Sequence, residues 1–369
     1  MPVTIDTGAG AHYCTGDLEA DVRNGIDVAI LGATGTVGQK FVRLLDGHPW
    51  FQVAELVASE RSAGHRYAET VSWKQETAIP ERVADLTIKT TDEPLASKIL
   101  FSGLDSSVAG TAEEEYARLG HTVISNASNH RMDRHVPLVI PEINPDHLAL
   151  VKHQPGPGVI ITNSNCSSMF LAMALAPLHQ SFGVTQVQVT TMQAISGAGY
   201  PGVPSMDILG NVIPYISNEE EKLEQEVARM LGTLQDDHVQ PAPFTVSAQC
   251  NRVPVYDGHT ETVSFKLARP ATIDEVRTAI EGFRGMPQEY RLPSAPARPL
   301  ILTNDVDRPQ PARDVWVSDG MATIVGRLRP CPVLDYKMVI LGHNTVRGAA
   351  GAAILNAEAY VSLGYAEDQ

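Results

Sequence analysis

The residue with the most chemical potential in this chain is a cysteine set among polar neighbours. Cys166 lies in ITNSNCSSMFLAMAL (161–175), which reads as an apolar strand that turns sharply into a helix. A thiol at a helix N-terminus faces the positive end of the dipole, which is expected to lower its pKa and make it a nucleophile. The bland alternative is a small buried hydrophobe, and the flanking Asn and Ser residues argue against it. A thiolate needs a proton partner. His259, in Tyr256-Asp257-Gly258-His259-Thr260, follows a tight turn and opens a strand, which can present an imidazole to a cleft. Spacing does not separate it from the other histidines, most of which fall in loops or at helix ends and are expected to be solvated. Arg131 and Arg252 stand beside polar residues and suit an anion. Glu219-Glu220-Glu221-Lys222 opens a helix running to Met230, and on spacing alone it reads as favourable charge in the first turn. Cys14 is expected in a solvated tail, and Cys250 and Cys331 in the core.

A second constellation is built from backbone. Asp27–Leu31 forms an apolar run, followed by Gly32-Ala-Thr-Gly35-Thr-Val-Gly38 and a helical pattern through Phe41, Leu44 and Leu45. Unpaired amides at a helix N-terminus bind phosphate, and glycines let a pyrophosphate approach. The G-x-x-G-x-x-G spacing departs from G-x-G-x-x-G, so the strand before and the helix after carry the assignment. At the end of the next strand, Ser59, Arg61 and Ser62 suit a ribose 2′-phosphate and favour NADP, while Glu60 keeps NAD open.

These groups need elements to position them. FQVAELVAS (51–59), KILFSG (98–103), TVISNA (122–127) and VIIT (159–162) continue the strand pattern, with a helix over 37–47 and another over 113–120. The βαβ rhythm predicts a Rossmann-like, doubly wound α/β domain. Beyond 163 the strands lengthen and alternate, at 186–195, 244–253 and 260–269, with a helix over 271–283, loop over 287–313 and a small-residue helix over 345–364. That half predicts an α+β catalytic and dimerisation domain with a mixed sheet. The expected division is a flexible tail over 1–26, a dinucleotide domain over 27–163 with the C-terminal helix 344–369 packing back on it, and a catalytic domain over 164–343. The 369 residues suit two domains. A net charge of −15 argues against nucleic acid or an anionic membrane as partner. Absence of a signal-like start or an apolar membrane span, with few scattered cysteines, points to the cytoplasm. No cysteine pair supports a metal site.

Together the segments GATGTVGQKF, ASERSAGHRY, SNASNHRM, ITNSNCSS, TTMQAISGAGYPGVPSMDI, NEEEKLEQE, CNRVPVYDGHTE and HNTVRGAAGAAILNAE resemble aspartate-semialdehyde dehydrogenases of the archaeal and fungal branch, from residue 27 to about 363. The resemblance implies that Cys166 forms an acyl-thioester, Gln193 orients it and His259 is the acid/base. It implies that Arg252 binds the substrate carboxylate and that Glu219 or Glu220 receives its ammonium. Lys222, Arg131 and Asn165 would bind phosphate. Gly32, Thr34, Gly35, Thr36, Val37, Ser59, Arg61, Ser62, Ser102 and Asn344 would meet NADP. The implied reaction is NADPH-dependent reduction of L-aspartyl-4-phosphate to L-aspartate-4-semialdehyde by a homodimer or homotetramer. The product would feed lysine (through diaminopimelate), threonine and methionine synthesis, or a specialised pathway.

Two positions depart from the family pattern. Ser164 replaces a usual proline, and Asp105 places a carboxylate near the cofactor, where like charge is unfavourable. Related acyl-thioester reductases are the nearest alternatives. Malonyl-CoA reductase would not need Glu219/Glu220, and N-acetyl-glutamyl-phosphate reductase fits NSNCSS and CNRVPVYDGHTE less well. A thiol hydrolase would have no use for the dinucleotide turn, and a binding protein would have no use for Cys166, Gln193 and His259 together.

Overall fold

A computed structural model of the chain describes residues 25–367. The expected N-terminal tail, with His12 and Cys14, lies outside them apart from Gly25 and Ile26. Six strands form the first sheet: β1 (Ile26–Leu31), β2 (Phe51–Val57), β3 (Ile88–Lys89), β4 (Ile99–Ser102), β5 (Thr122–Ser125) and β6 (Val159–Thr162). Their order is β3-β2-β1-β4-β5-β6, and every pairing is parallel. β4, β5 and β6 are buried at every residue, as strands covered on both faces must be. The strand order reverses between β1 and β4, and this opens a crevice at their carboxyl ends. Two helices start there, α1 (Thr36–Leu44) and α2 (Ser106–Arg118). The second begins well before the expected 113–120 segment because Asp105 caps it, its carboxylate accepting the Ser107 N–H at 2.9 Å.

The third helix, α3 (Cys166–Phe182), leaves β6 and runs between the two halves of the molecule, with Ser167 through Leu178 all buried. A helix apolar on every side has no other stable place. It packs on a second sheet of β7 (Val184–Gln193), β8 (Thr245–Arg252), β9 (His259–Leu267), β10 (Leu300–Leu302), β11 (Thr323–Pro330) and β12 (Tyr336–Gly342), ordered β8-β7-β9-β12-β11-β10. The β7–β8 and β10–β11 pairs are parallel and the others antiparallel, so the sheet is mixed. Alternating burial along β7, β8 and β9 turns one face onto the core. α4 (Glu219–Met230) and α5 (Ile273–Gly282) join the same core through Leu223, Val227, Val276 and Ile280. The expected loop over 287–313 contains the short β10, which is too brief to show a period.

The chain ends in a π-turn, Val346–Ala350, followed by α6 (Gly351–Ser362), where a single helix was expected. Ala353, Ile354, Leu355, Ala357 and Tyr360 share one core with Val28, Ile30, Phe101 and Ile124 of the first sheet. Gly348 of the π-turn lies against α3, and a Cβ there would stand 2.7 Å from the Cβ of Cys166. Two expectations about side chains are corrected. Cys331 is half-buried beyond β11, with the Leu334 N–H on its sulfur, because the strand has already left the core. His121, His130, His147 and His343 are buried rather than solvated. His121 and His147 are held by the Ser97 carbonyl and the Asn144 side chain, so their ring polarity is met inside. Among the described residues no helix is long and apolar enough to cross a membrane.

Candidate active site

A cleft of about 730 Å³ follows the crevice from the glycine turn to the start of α3. At its first end the chain offers main chain. Gly32 has φ +75°, and a Cβ on it would lie 2.8 Å from the Gly103 carbonyl oxygen. A Cβ on Gly38 would collide with the Gly32 carbonyl and Ala33. Only glycine lets β1, β4 and α1 converge this closely. The N-cap of α1, Gly35, has no capping side chain, which leaves the first amides of the helix free for a phosphate. Thr34, Gly35, Thr36 and Val37 line the cleft. Buried Gln39 braces the turn, a role its sequence position does not announce. Its Nε2 donates to the carbonyls of Thr34 (2.9 Å) and Ser72 (3.1 Å), and its Oε1 accepts the Lys74 N–H at 2.7 Å.

The ribose end differs in detail from the sequence expectation. Ser59 lines the cleft, but exposed Arg61 and buried Ser62 do not; Ser72 and Lys74 line it there. Ser102 is fully buried and its hydroxyl donates to Glu113 at 2.6 Å, so it faces away from the cleft. Asp105 does line the cleft, and hydrogen bonds from the Ser107 hydroxyl and N–H hold its carboxyl below the usual range.

At the other end the site is made of side chains. Arg252 on β8 pairs with Gln193 on β7, and His259 on β9 stands one residue beyond the Thr260–Met192 pair. The three therefore form a row across neighbouring strands, all buried, on the face that packs against α3. Asn165 caps α3, its Oδ1 accepting the N–H groups of Ser167 and Ser168 at 3.0 and 3.2 Å. Its Nδ2 donates to Glu219 at 2.9 and 3.1 Å. Gln193 Nε2 (3.3 Å) and Lys222 Nζ (2.8 Å) also donate to Glu219. Burial pushes the Glu219 carboxyl up, but the Lys222 charge and these hydrogen bonds hold it below the usual range, so it is ionised.

The geometry separates Glu219 from Glu220. Glu219 is 7% exposed and central to the network, whereas Glu220 accepts the Cys250 N–H at 3.0 Å along β8. Glu226, two turns further along α4, was not singled out from the sequence. Its carboxylate binds Arg131 Nη1 at 3.0 Å and the Asn165 N–H at 2.7 Å. The signal for it was the seven-residue spacing from Glu219, which puts both on one helix face. Arg131 also donates to the Asn126 carbonyl at 2.7 Å, and both Arg131 and Lys222 line the cleft beside Cys166. Asn344 ties two strand ends together: its Oδ1 accepts the Gly258 N–H and its Nδ2 donates to Ser196 Oγ, each at 2.8 Å.

The electrostatics of Cys166 reverse the expectation from its helix position. Burial pushes its thiol up to about 12, and the Glu219 carboxylate adds to this, while Arg252, Arg131 and the Ser167 N–H pull the other way. The first turn of a helix contributes a fixed, modest field. A desolvated sulfur beside a carboxylate outweighs it. His259 is held well below its ordinary value by burial, Arg252 and His343, so its ring is neutral.

Comparisons with known proteins agree with the fold. The family described as "Semialdehyde dehydrogenase, NAD binding domain" matches residues 27–151, and "Semialdehyde dehydrogenase, dimerisation domain" matches 175–347. The aspartate-semialdehyde dehydrogenase of Methanothermobacter thermautotrophicus is 48% identical over 341 residues, covering 90% of this chain and 98% of that protein. The Schizosaccharomyces pombe aspartate-semialdehyde dehydrogenase is 46% identical over 350 residues, covering 91% and 98%. The crystal structure of the Candida albicans aspartate semialdehyde dehydrogenase with NADP superposes with a TM-score of 0.85 at 42% identity, covering 91% of this chain and 98% of that one. The two-sheet fold, the dinucleotide cleft and these likenesses together show that the chain belongs to the aspartate-semialdehyde dehydrogenase family, a family of NADP-dependent oxidoreductases.

Proposed function

We propose that the chain reduces L-aspartyl-4-phosphate to L-aspartate-4-semialdehyde through an acyl-thioester on Cys166. The observation that carries this is the meeting of Cys166, Gln193, His259, Arg252 and Glu219 at the far end of a dinucleotide cleft. Each group matches one feature of the substrate. Arg252 takes the α-carboxylate, and Glu219 takes the ammonium in place of Lys222. Arg131, Lys222 and Asn165 receive the phosphate at the cleft wall. Cys166 displaces that phosphate, Gln193 orients the thioester, and His259 handles the proton at the reacting oxygen. NADPH, held over the glycine turn with its adenosine ribose toward Ser59, Ser72 and Lys74, supplies the hydride that reduces the thioester.

This reading divides the chain into a dinucleotide domain over 27–163, with the returning segment 344–369, and a catalytic and dimerisation domain over 164–343. The small apolar residues of that segment and the shared core with β1, β4 and β5 support its place with the first domain. The dimerisation-domain match supports a homodimer or homotetramer, and the biosynthetic relatives support a cytoplasmic setting. The test runs the reaction backwards: purified chain, L-aspartate-4-semialdehyde, inorganic phosphate and NADP⁺, followed by NADPH absorbance. Phosphate-dependent turnover is expected. Silence in this assay together with NADPH oxidation on malonyl-CoA would replace the acyl phosphate with a CoA thioester.

A further inference from the structure

One face of α4 carries Glu219, Lys222, Glu226 and Arg229, whose helical spacing stacks them one turn above another. Glu226 is 2% exposed and stands behind the cleft wall, which Arg131, Asn165 and Lys222 all line. Its Oε1 accepts Arg131 Nη1 at 3.0 Å and its Oε2 accepts the Asn165 N–H at 2.7 Å. A single carboxylate therefore grips a side chain from the loop after β5 and the backbone at the start of α3. Each bond answers a local need. The N–H of a helix N-cap is commonly met by a Glu or Gln three residues into the same helix. Ser168 stands at that place in α3, and its hydroxyl has no hydrogen-bond partner among the described residues. Glu226 supplies the missing acceptor from a different helix. For Arg131 it supplies a counter-charge, without which a buried guanidinium is costly. With Nη2 donating to the Asn126 carbonyl at 2.7 Å, the guanidinium plane is fixed at two corners, and its other N–H groups remain to donate. Arg229 donates to the Asp133 and Val136 carbonyls at 2.6 and 3.0 Å, so the loop carrying Arg131 is tied to the same helix.

Resting on the function proposed above, we propose that Glu226 is the positioning residue of the phosphate subsite: it holds Arg131 and Asn165 in one register, so that they act as a single site for the phosphate. It works through these two residues and does not itself touch the substrate. Its bond to Arg131 is charge-assisted, the kind that fixes a guanidinium most firmly. Run backwards, the reaction separates this subsite from the rest of the machinery. The semialdehyde and NADP⁺ by themselves form the thioester and release NADPH in a single burst, and phosphate enters only afterwards. In that last step a phosphate oxygen bonds to the thioester carbon, the carbon–sulfur bond breaks, and the proton of hydrogen phosphate ends on the Cys166 sulfur. A residue that positions only the phosphate groups acts on this step and leaves the burst alone.

The test is stopped-flow and steady-state absorbance of the full chain carrying Glu226→Gln. The glutamine keeps an acceptor for the Asn165 N–H but loses the charge that holds Arg131. Without phosphate, the NADPH burst should match wild type in rate and amplitude. The phosphate concentration that gives half-maximal steady turnover should rise about tenfold or more, the scale of a misplaced binding group. KM for the semialdehyde and for NADP⁺ should stay within about threefold of wild type. An unchanged phosphate requirement overturns the proposal. So does a burst that falls along with it, since a general loosening of the site would produce that result. Arg131→Gln, made with and without Glu226→Gln, gives a second reading. Once Arg131 is gone there is no guanidinium to hold, and the added Glu226→Gln should change the phosphate requirement by less than about twofold. The same tenfold rise in both backgrounds overturns the proposal. If Glu226→Gln does not fold, Glu226→Asp keeps the charge but is one methylene too short to reach both partners. It is expected to raise the phosphate requirement while sparing the burst, and an equal effect on both, or on neither, overturns the proposal. Absence of a burst from wild type would instead sink the proposed function.

Discussion

The two ends of the cleft are made of different materials. The nucleotide end is main chain within one short stretch, Gly32 to Gly38, closed by Gly103. The chemical end is a side-chain network gathered from positions 131, 165–166, 193, 219–226, 252 and 259, with Gly348 packed behind Cys166. A main-chain site depends on where Cβ atoms are absent. A side-chain site depends on what each buried group has for neighbours. The same structural device, a helix N-terminus, therefore has different results at the two ends. At α1 it leaves amides free for phosphate. At α3 its effect on Cys166 is outweighed by burial and by Glu219.

The strongest test of this contrast pairs Cys166→Ala with Gly38→Ala. The first should reduce turnover by about 10⁴-fold or more, the scale of losing a nucleophile, and leave NADPH affinity unchanged in a fluorescence titration. The second adds a methyl that collides with the Gly32 carbonyl, and should weaken NADPH binding by about tenfold or more. Normal NADPH binding by Gly38→Ala would break the main-chain side of the comparison.

Next in size is the split between adjacent glutamates. Glu219→Gln should lower kcat/KM for the semialdehyde by about 10²-fold, as expected for half of a buried, hydrogen-bonded charge pair. Glu220→Gln should change it by less than about threefold, since its carboxylate serves the β8 backbone. Equal effects would mean that α4 is rotated differently in the working enzyme.

A smaller effect concerns a carboxylate network outside the cleft. Glu55 accepts from Lys89 Nζ, Ser97 N–H and Ser97 Oγ at 2.8, 2.8 and 2.6 Å. Burial raises its carboxyl, but these bonds prevail and hold it at about 2. Because the folded value lies below the ordinary one, the stabilisation is complete above about pH 4.5 and fades as pH falls toward 2. Glu55→Gln should cost about 1–2 kcal/mol at neutral pH after solvent screening, and the gap from wild type should narrow on acidification. Denaturant titrations at several pH values measure it, and a constant gap would remove the ionised carboxylate as the cause.

The smallest expected effects are at Asp105, where a side chain intrudes on the main-chain end. Asp105→Ala should lose about 1 kcal/mol of stability through the α2 cap, and Asp105→Asn much less. Both variants remove the charge, so both should lower the KM for NADPH by less than about threefold in steady-state assays. A rise in KM would show that the carboxylate helps to hold the cofactor.

What could be read along the chain alone was whatever a few consecutive residues decide. The glycine turn was legible because strand, glycines and helix follow one another. The alternation of β7, β8 and β9 announced a half-buried sheet, and the polar residues around Cys166 marked a helix start. The family resemblance added roles to single positions, but it left Glu219 and Glu220 equivalent. Only the packing of α4 against β8 and α3 told them apart, and it brought in Glu226. Lys74 reaches the ribose end and Arg61 does not because the loop after β2 is pinned by Gln39 from another element. The raised thiol of Cys166 and the neutral ring of His259 were beyond local rules for the same reason. Steric and capping preferences act over a few residues of chain, whereas a buried group's charge and proton are set by every neighbour in space, and those neighbours come from strands and helices far apart in sequence.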